Sequence, residues 1–217
     1  EMANARVIRS ELATVSGKGG EFEVAAVPVE AGVVHPPALA VDEDDVVWVF
    51  WGETYLQDDT VDLHVASWSR EGGMSESVVI ADSDAAEAFV DAGTDSEGRV
   101  WIAWQSLRSG EGDIFARYRD TEGEWSEEIA VTGAKGGDWA PDLAFDREGN
   151  AWVLYDSSRG NEFNLYLARV SGDGTAEEFS IGHSADYEAR GAITATAEGT
   201  GFWISAERGK PRWGLDS

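Results

Sequence analysis

The sequence predicts an all-β fold, a β-propeller of four-stranded blades, from three observations. A strand-turn-strand unit runs from Asp42 to Trp51, recurs at Asp95 to Trp104 and Asp146 to Tyr155, and degenerates around Trp203. Its matched tryptophans, Trp48, Trp101, Trp152 and Trp203, stand 53, 51 and 51 residues apart. A sustained period of this length is the mark of a repeat architecture. A second register agrees: Asp62, Asp113 and Asn164, spaced by 51 and 51, each precede another apolar segment. Finally, Val100-Trp101-Ile102-Ala103-Trp104 is apolar on both faces. A strand exposed on one side would alternate, whereas the second strand of a propeller blade is sandwiched between neighbouring blades.

Taken in order, Arg6-Val7-Ile8 with Leu12 to Val15, and then Phe22 to Val27, read as two strands around the turn Gly17-Lys18-Gly19-Gly20. Blade 1 (35–82) has strand A at Pro37 to Asp42, B at Val46 to Trp51, C at Leu63 to Trp68 and D at Met74 to Ile80. Blade 2 (87–133) has A at Phe89 to Thr94, B at Val100 to Trp104, C at Ile114 to Tyr118 and D at Trp125 to Val131. Blade 3 (139–182) has A at Pro141 to Phe145, B at Ala151 to Tyr155, C at Leu165 to Val170 and D at Phe179 to Ile181. Only Ala192 to Thr196 and Phe202 to Ser205 follow. The Asp-x-x-Gly element reads as a tight turn, with positive φ at Gly98, Gly149 and, in blade 1, Asp45. The first two strands would supply a C-D pair and the last two an A-B pair. Joining them gives a fourth blade, split 1–30 and 187–217, that closes the ring and leaves no open edge. The alternative is a piece of a larger propeller of five to eight blades, in keeping with the cut look of both ends.

The 217 residues suffice for one large β domain, and ten tryptophans indicate packed strands rather than disorder. Forty-two acids face 13 arginines and three lysines, a formal net charge of −26. Such a chain does not neutralise phosphates, so nucleic acid and anionic membrane surfaces are excluded as partners. There is no cysteine and no apolar run of membrane-spanning length. The acid-rich, lysine-poor surface suits an extracellular or periplasmic setting. No leader peptide is visible at the start.

The motif Pro-x-Leu-Ala-x-Asp-x-x-Gly-x-x-Trp, followed by Ser-x-x-Arg-x-Gly and Asp/Asn-Ile/Leu-Tyr/Phe-x-Ala-Arg, is carried best by residues 140–170 and 88–118. It resembles the sialidase-like and TolB-like propeller repeats of bacterial secreted proteins. It departs from the sialidase Asp box: Ser96 and Arg147 stand two residues before the glycine, and Asp95 and Asp146 stand three before. The resemblance therefore implies architecture more than activity.

Propeller ligands meet the face where the B-to-C and D-to-A loops converge. The B-to-C loops begin at Glu53, Gln105, Asp156 and Glu207 and carry Arg108, Arg159, Arg208 and Lys210. The D-to-A loops carry His35, Glu87, Trp139, Tyr187 and Glu188. Glu53, Gln105, Arg108, Trp139, Asp156, Arg159, Glu207 and Arg208 are the candidate ligand-binding set, for a carbohydrate or a protein partner. For a glycosidase, Asp156, Glu207, Tyr187 and Glu188 are the candidate catalytic groups. Sialidase-type chemistry would draw on the arginines and Tyr187. No cofactor is required; calcium could be held at Asp42, Asp44 and Asp45, although EF-hand spacing is lacking. His35, His64 and His183 share no zinc spacing, and Tyr55 and Trp213 are aromatics that could stack on sugars. Because the Ser-x-x-Arg-x-Gly residues recur, turn stabilisation explains them. The sequence therefore favours a non-catalytic binding or structural module of a larger chain or assembly, with a glycoside-acting enzyme as the alternative.

Overall fold

A computed structural model describes residues 13–18, 21–29, 33–54, 60–159, 163–182 and 186–210. It is all β, as expected. β1 (Ala13–Lys18) and β2 (Glu21–Ala26) form a hairpin. Blade 1 holds β3 (Val33–Val34), β4 (Ala38–Val41), β5 (Val47–Thr54), β6 (Val61–Ser69), β7 (Gly73–Met74) and β8 (Val78–Ala81). Blade 2 holds β9 (Glu87–Thr94), β10 (Val100–Ser106), β11 (Asp113–Arg119) and β12 (Ile129–Ala130) in sequential order. Blade 3 repeats this with β13 (Asp138–Phe145), β14 (Ala151–Ser157), β15 (Asn164–Val170) and β16 (Ala176–Ser180). A last hairpin joins β17 (Tyr187–Ala195) and β18 (Phe202–Gly209).

The first strands β4, β9, β13 and β17 touch one another in succession and form the inner edge of the blades. Each blade packs its B and C strands against the next. Phe50, Leu63 and Val65 meet Ile102 and Trp104 between blades 1 and 2. Trp101, Ile114 and Ala116 meet Val153, Tyr155 and Ala168 between blades 2 and 3. Leu154, Leu165 and Leu167 meet Ile193 of β17. Every residue of β10 is buried, which is why its sequence shows no alternation.

The turns follow the sequence reading. Asp45, Gly98 and Gly149 have φ of 59°, 81° and 79°, a region that glycine enters freely and aspartate tolerates. The A strands are longer than expected, reaching back to Glu87, Asp138 and Tyr187. A bulge lets each continue: the register shifts in β9, β13 and β17, and Phe89, Ala140 and Arg190 take left-handed backbone there. The D strand of blade 3 begins at Ala176, earlier than expected, while those of blades 1 and 2 are broken or short. Ser75 and Ser126 explain this, since their hydroxyls accept the Ser67 and Tyr118 N–H groups in place of a regular ladder.

The expected closure is not what the described residues show. β1 and β2 pair with each other, β17 and β18 pair with each other, and these two hairpins form separate sheets. The outer strand β18 is mostly exposed, with Trp203 73% accessible. No helix among the described residues is long and apolar enough to cross a membrane.

Candidate functional site

The two ends of the blades differ. At the turn end, Asp42, Asp95 and Asp146 each accept an indole N–H, from Trp48 at 2.8 Å, Trp101 at 2.7 Å and Trp152 at 2.8 Å. Each also caps two turn N–H groups. These carboxylates lock the repeat. The calcium candidate Asp42, Asp44 and Asp45 is corrected on this ground. Both oxygens of Asp42 are taken by N–H donors, which a cation would have to displace. Among the described residues no three His, Cys, Asp or Glu side chains gather as a ligand set.

At the opposite end lie the candidate site residues. Arg108 reaches Glu87 at 3.0 Å and Glu128 at 2.5 Å; the fully buried Glu87 also accepts Trp104 Nε1 at 2.6 Å. Arg159 repeats this with Asp138 at 3.3 Å and Glu178 at 2.5 Å. Tyr155 adds its hydroxyl to Glu178. Burial pushes the Asp138 carboxyl above its ordinary range, against Ser157 and Arg159, which pull it down. Arg159 holds Glu178 below its own range, although burial opposes this. In the last hairpin, where Lys210 holds the repeat position of Arg108 and Arg159, nearby Arg208 Nε lies 3.3 Å from Asp186 and 3.8 Å from Glu188. The three arginines thus each sit in a clamp of their own sheet. The structure does not bring them together as one anion-binding cluster.

Other predicted residues are placed as follows. Glu53 is fully buried and accepts Trp51 Nε1 at 3.2 Å. His35 Nε2 meets Thr54 Oγ1 at 2.8 Å, and His64 is buried, its ring stacked on Trp51 at 5.6 Å. Glu207 accepts Arg190 at 3.0 Å, and Lys210 is exposed. His183, Tyr55 and Trp213 lie outside the described residues. Trp139 stacks on Phe163 at 5.5 Å, and Phe163 meets Tyr187 at 5.1 Å, giving one aromatic platform. A Cβ at Gly137 would fall 2.1 Å from the Trp139 ring, so only glycine fits beneath it. Asp156 lies opposite Trp139 across β13 and β14, and its Oδ2 accepts the Arg190 N–H at 2.9 Å. Burial raises its pKa despite the bonds from Arg190 and Gly191. Gln105 holds the same position one blade earlier, and its Oε1 is buried without a partner among the described residues. Pro141, which follows the bulge where Gly191 does in the next blade, has no N–H to offer it.

The inner strands carry a pair the sequence reading missed. Asp91 accepts the Leu143 N–H of the next blade at 2.7 Å, and Asp142 accepts that of Ile193 at 2.6 Å. The two carboxyl groups lie within reach of a shared proton. Burial pushes the Asp91 pKa up to about 6; the Leu143 bond opposes this and the Asp142 charge adds to it. The signal was in the sequence: an acid at one place in two successive A strands, 51 residues apart, where an inner strand has no need of one.

No family model and no curated protein sequence matches the chain. Solved structures do. An α-L-arabinanase of Penicillium chrysogenum complexed with arabinobiose aligns with a TM-score of 0.61 at 12% identity, over 90% of this chain and 67% of that one. A Dyadobacter fermentans protein of unknown function gives 0.65 at 12%, over 94% and 66%. A leech intramolecular trans-sialidase gives 0.50 at 11%, over 93% and 33%. The chain thus spans about two thirds of the length of the first two. Likeness at this level establishes the fold, a β-propeller. It also overturns the expectation of a non-catalytic module, because the similar structures with a stated activity are enzymes acting on glycosides. Repeat symmetry had pointed away from catalysis because it was read from the Ser-x-x-Arg loops alone, and these are clamps.

Proposed function

We propose that the chain is a glycoside-acting enzyme, working outside the cell at the inner strands below the Trp139 platform. The Asp91–Asp142 pair carries this reading. A carboxyl with a pKa near 6 keeps its proton in mildly acidic solution and can pass it to a glycosidic oxygen as the bond to the anomeric carbon breaks. Asp142 beside it places a second carboxyl group against the charge that develops as that bond breaks. Asp142 lies opposite Leu154, and Asp156 follows two residues along β14. Two residues of strand rise combined with the gap between neighbouring strands put their Cα atoms roughly 8 Å apart, a spacing that leaves room for a water between two carboxylates. Asp156 is then the second carboxylate. Trp139, Phe163 and Tyr187 offer a face for a sugar ring.

The test is a screen of aryl glycosides and polysaccharides with the purified chain and its Asp91→Asn and Asp142→Asn variants. Hydrolysis should fall as pH rises through about 6. Each variant should lose activity by about 100-fold or more while retaining a cooperative melt. A folded protein that cleaves no glycoside, or variants as active as the parent, would refute the reading.

A further inference from the structure

The two complete inter-blade seams differ at the outer rim. Between blades 2 and 3, Ala168 and Val170 of β15 close onto Trp101 and seal it from solvent. One repeat earlier, the matching positions of β11 are Arg117 and Arg119, facing blade 1. There the seam opens into a cavity of about 660 Å³. Trp48 and Trp125 form its floor, edge to face at 6.5 Å, and Val78 and Val79 form an exposed apolar wall. Arg119 lies 4.5 Å over the Trp48 ring and Arg117 5.9 Å over Trp125. Arg117 is oriented by two backbone carbonyls, those of Ser126 at 2.9 Å and Ile80 at 2.8 Å. Among the described residues neither guanidinium is paired with a carboxylate, on a chain of net charge −26, although Glu76 also lines the groove.

We propose that this groove binds a carboxylate-bearing sugar, a uronate unit of an acidic polysaccharide. Two guanidinium groups set over indoles offer N–H donors to one carboxylate. The valine wall and indole edges receive the apolar face of a pyranose ring. A carboxylate carried on a ring with an apolar face suits the valine wall better than the phosphates of a nucleic acid, which the net charge of −26 repels. The site is separate from the inner-strand carboxylates and does not depend on their being catalytic.

The test is titration of the full chain with a short oligogalacturonate, followed by tryptophan fluorescence and calorimetry. A neutral xylo-oligosaccharide and an acidic peptide serve as controls. Binding should be selective for the uronate and weaken as salt is raised. Arg119→Met, which breaks no hydrogen bond to backbone, should weaken it by about 10-fold or more, the loss of a charged hydrogen-bonding partner. Trp125→Phe should weaken it less. Asp142→Asn should leave binding unchanged, and Arg119→Met should leave cleavage of small aryl glycosides unchanged, so failure here is distinguishable from failure of the enzyme reading. The proposal is overturned by any of three results: no uronate binding, equal binding of the neutral sugar or the peptide, or a folded Arg119→Met that binds as the parent does.

Discussion

Two sets of aspartates behave in opposite ways. At the turn end, Asp146 is partly buried, which by itself would raise its pKa. Bonds from Trp152, Asn150 and Glu148 outweigh that, and the carboxyl lies below its ordinary range. On the inner strands Asp91 is largely buried with two backbone donors, Leu143 and Ala92, and a second carboxyl beside it, and it lies well above that range. What separates them is the number of donors each carboxylate receives when charged. Saturated carboxylates repeat in every full blade and hold the fold. The under-supplied pair occurs on two inner strands only, and that is where a proton is available.

The largest break in this comparison comes from the saturated end. Asp95→Ala removes four bonds, to the Glu97 and Arg99 N–H groups, Arg99 Nε and Trp101 Nε1, and strands the last of these in a fully buried indole. It should cost about 3–4 kcal/mol in urea unfolding, against about 1 kcal/mol for Asp42→Ala at its more open turn. Equal losses would show that burial does not set the worth of these caps.

A second test uses pH. Folded Asp91 binds its proton more tightly than the unfolded chain does. Its stabilising effect is therefore complete below the ordinary value of 3.8 and is lost as pH rises through about 6. Two pKa units correspond to about 2–3 kcal/mol. Asp146 runs the other way: its contribution is present above 3.8 and is lost as pH falls through its lowered value. Urea midpoints of the parent and Asp91→Asn, measured across this window, should converge at the acid end and diverge toward neutrality, with the variant more stable there. Parallel curves would place the proton elsewhere. The smallest effect belongs to Arg147→Ala. Its pair with Glu148 is exposed on both sides, and no change in the melt is expected.

Much of this fold was legible because a repeat tests itself. Trp101 and Trp152 mark the B strands, Asp113 and Asn164 the C strands, and Gly98 and Gly149 the turns, each at the same interval. The bulges were not legible. Phe89, Ala140 and Arg190 share no side-chain chemistry, and their left-handed backbone is imposed by tertiary packing rather than by preference. The site was half legible. Trp139 and Asp156 do lie opposite each other, but Arg108 and Arg159 drew attention as charges toward a ligand, when each is held by acids of its own sheet. Asp91 and Asp142 were passed over because an acid inside an apolar strand looks like an outward-facing residue until the next blade is in place.

The bonds that tie one blade to the next have a kinetic side. Leu143 to Asp91 spans 52 residues of chain, Ile193 to Asp142 spans 51, and Tyr118 to Gly172 spans 54. Each hairpin within a blade closes over far fewer. Loop-closure entropy therefore favours blades that form singly, with the inter-blade ties made last and opened first. Hydrogen exchange should find the Leu143 and Ile193 amides exchanging ahead of those in β10 and β14, and a uniform rate across all of them would mean the blades open as one unit. The inner face that would present Asp91 and Asp142 to a substrate is thus the seam that loosens before the blades themselves do.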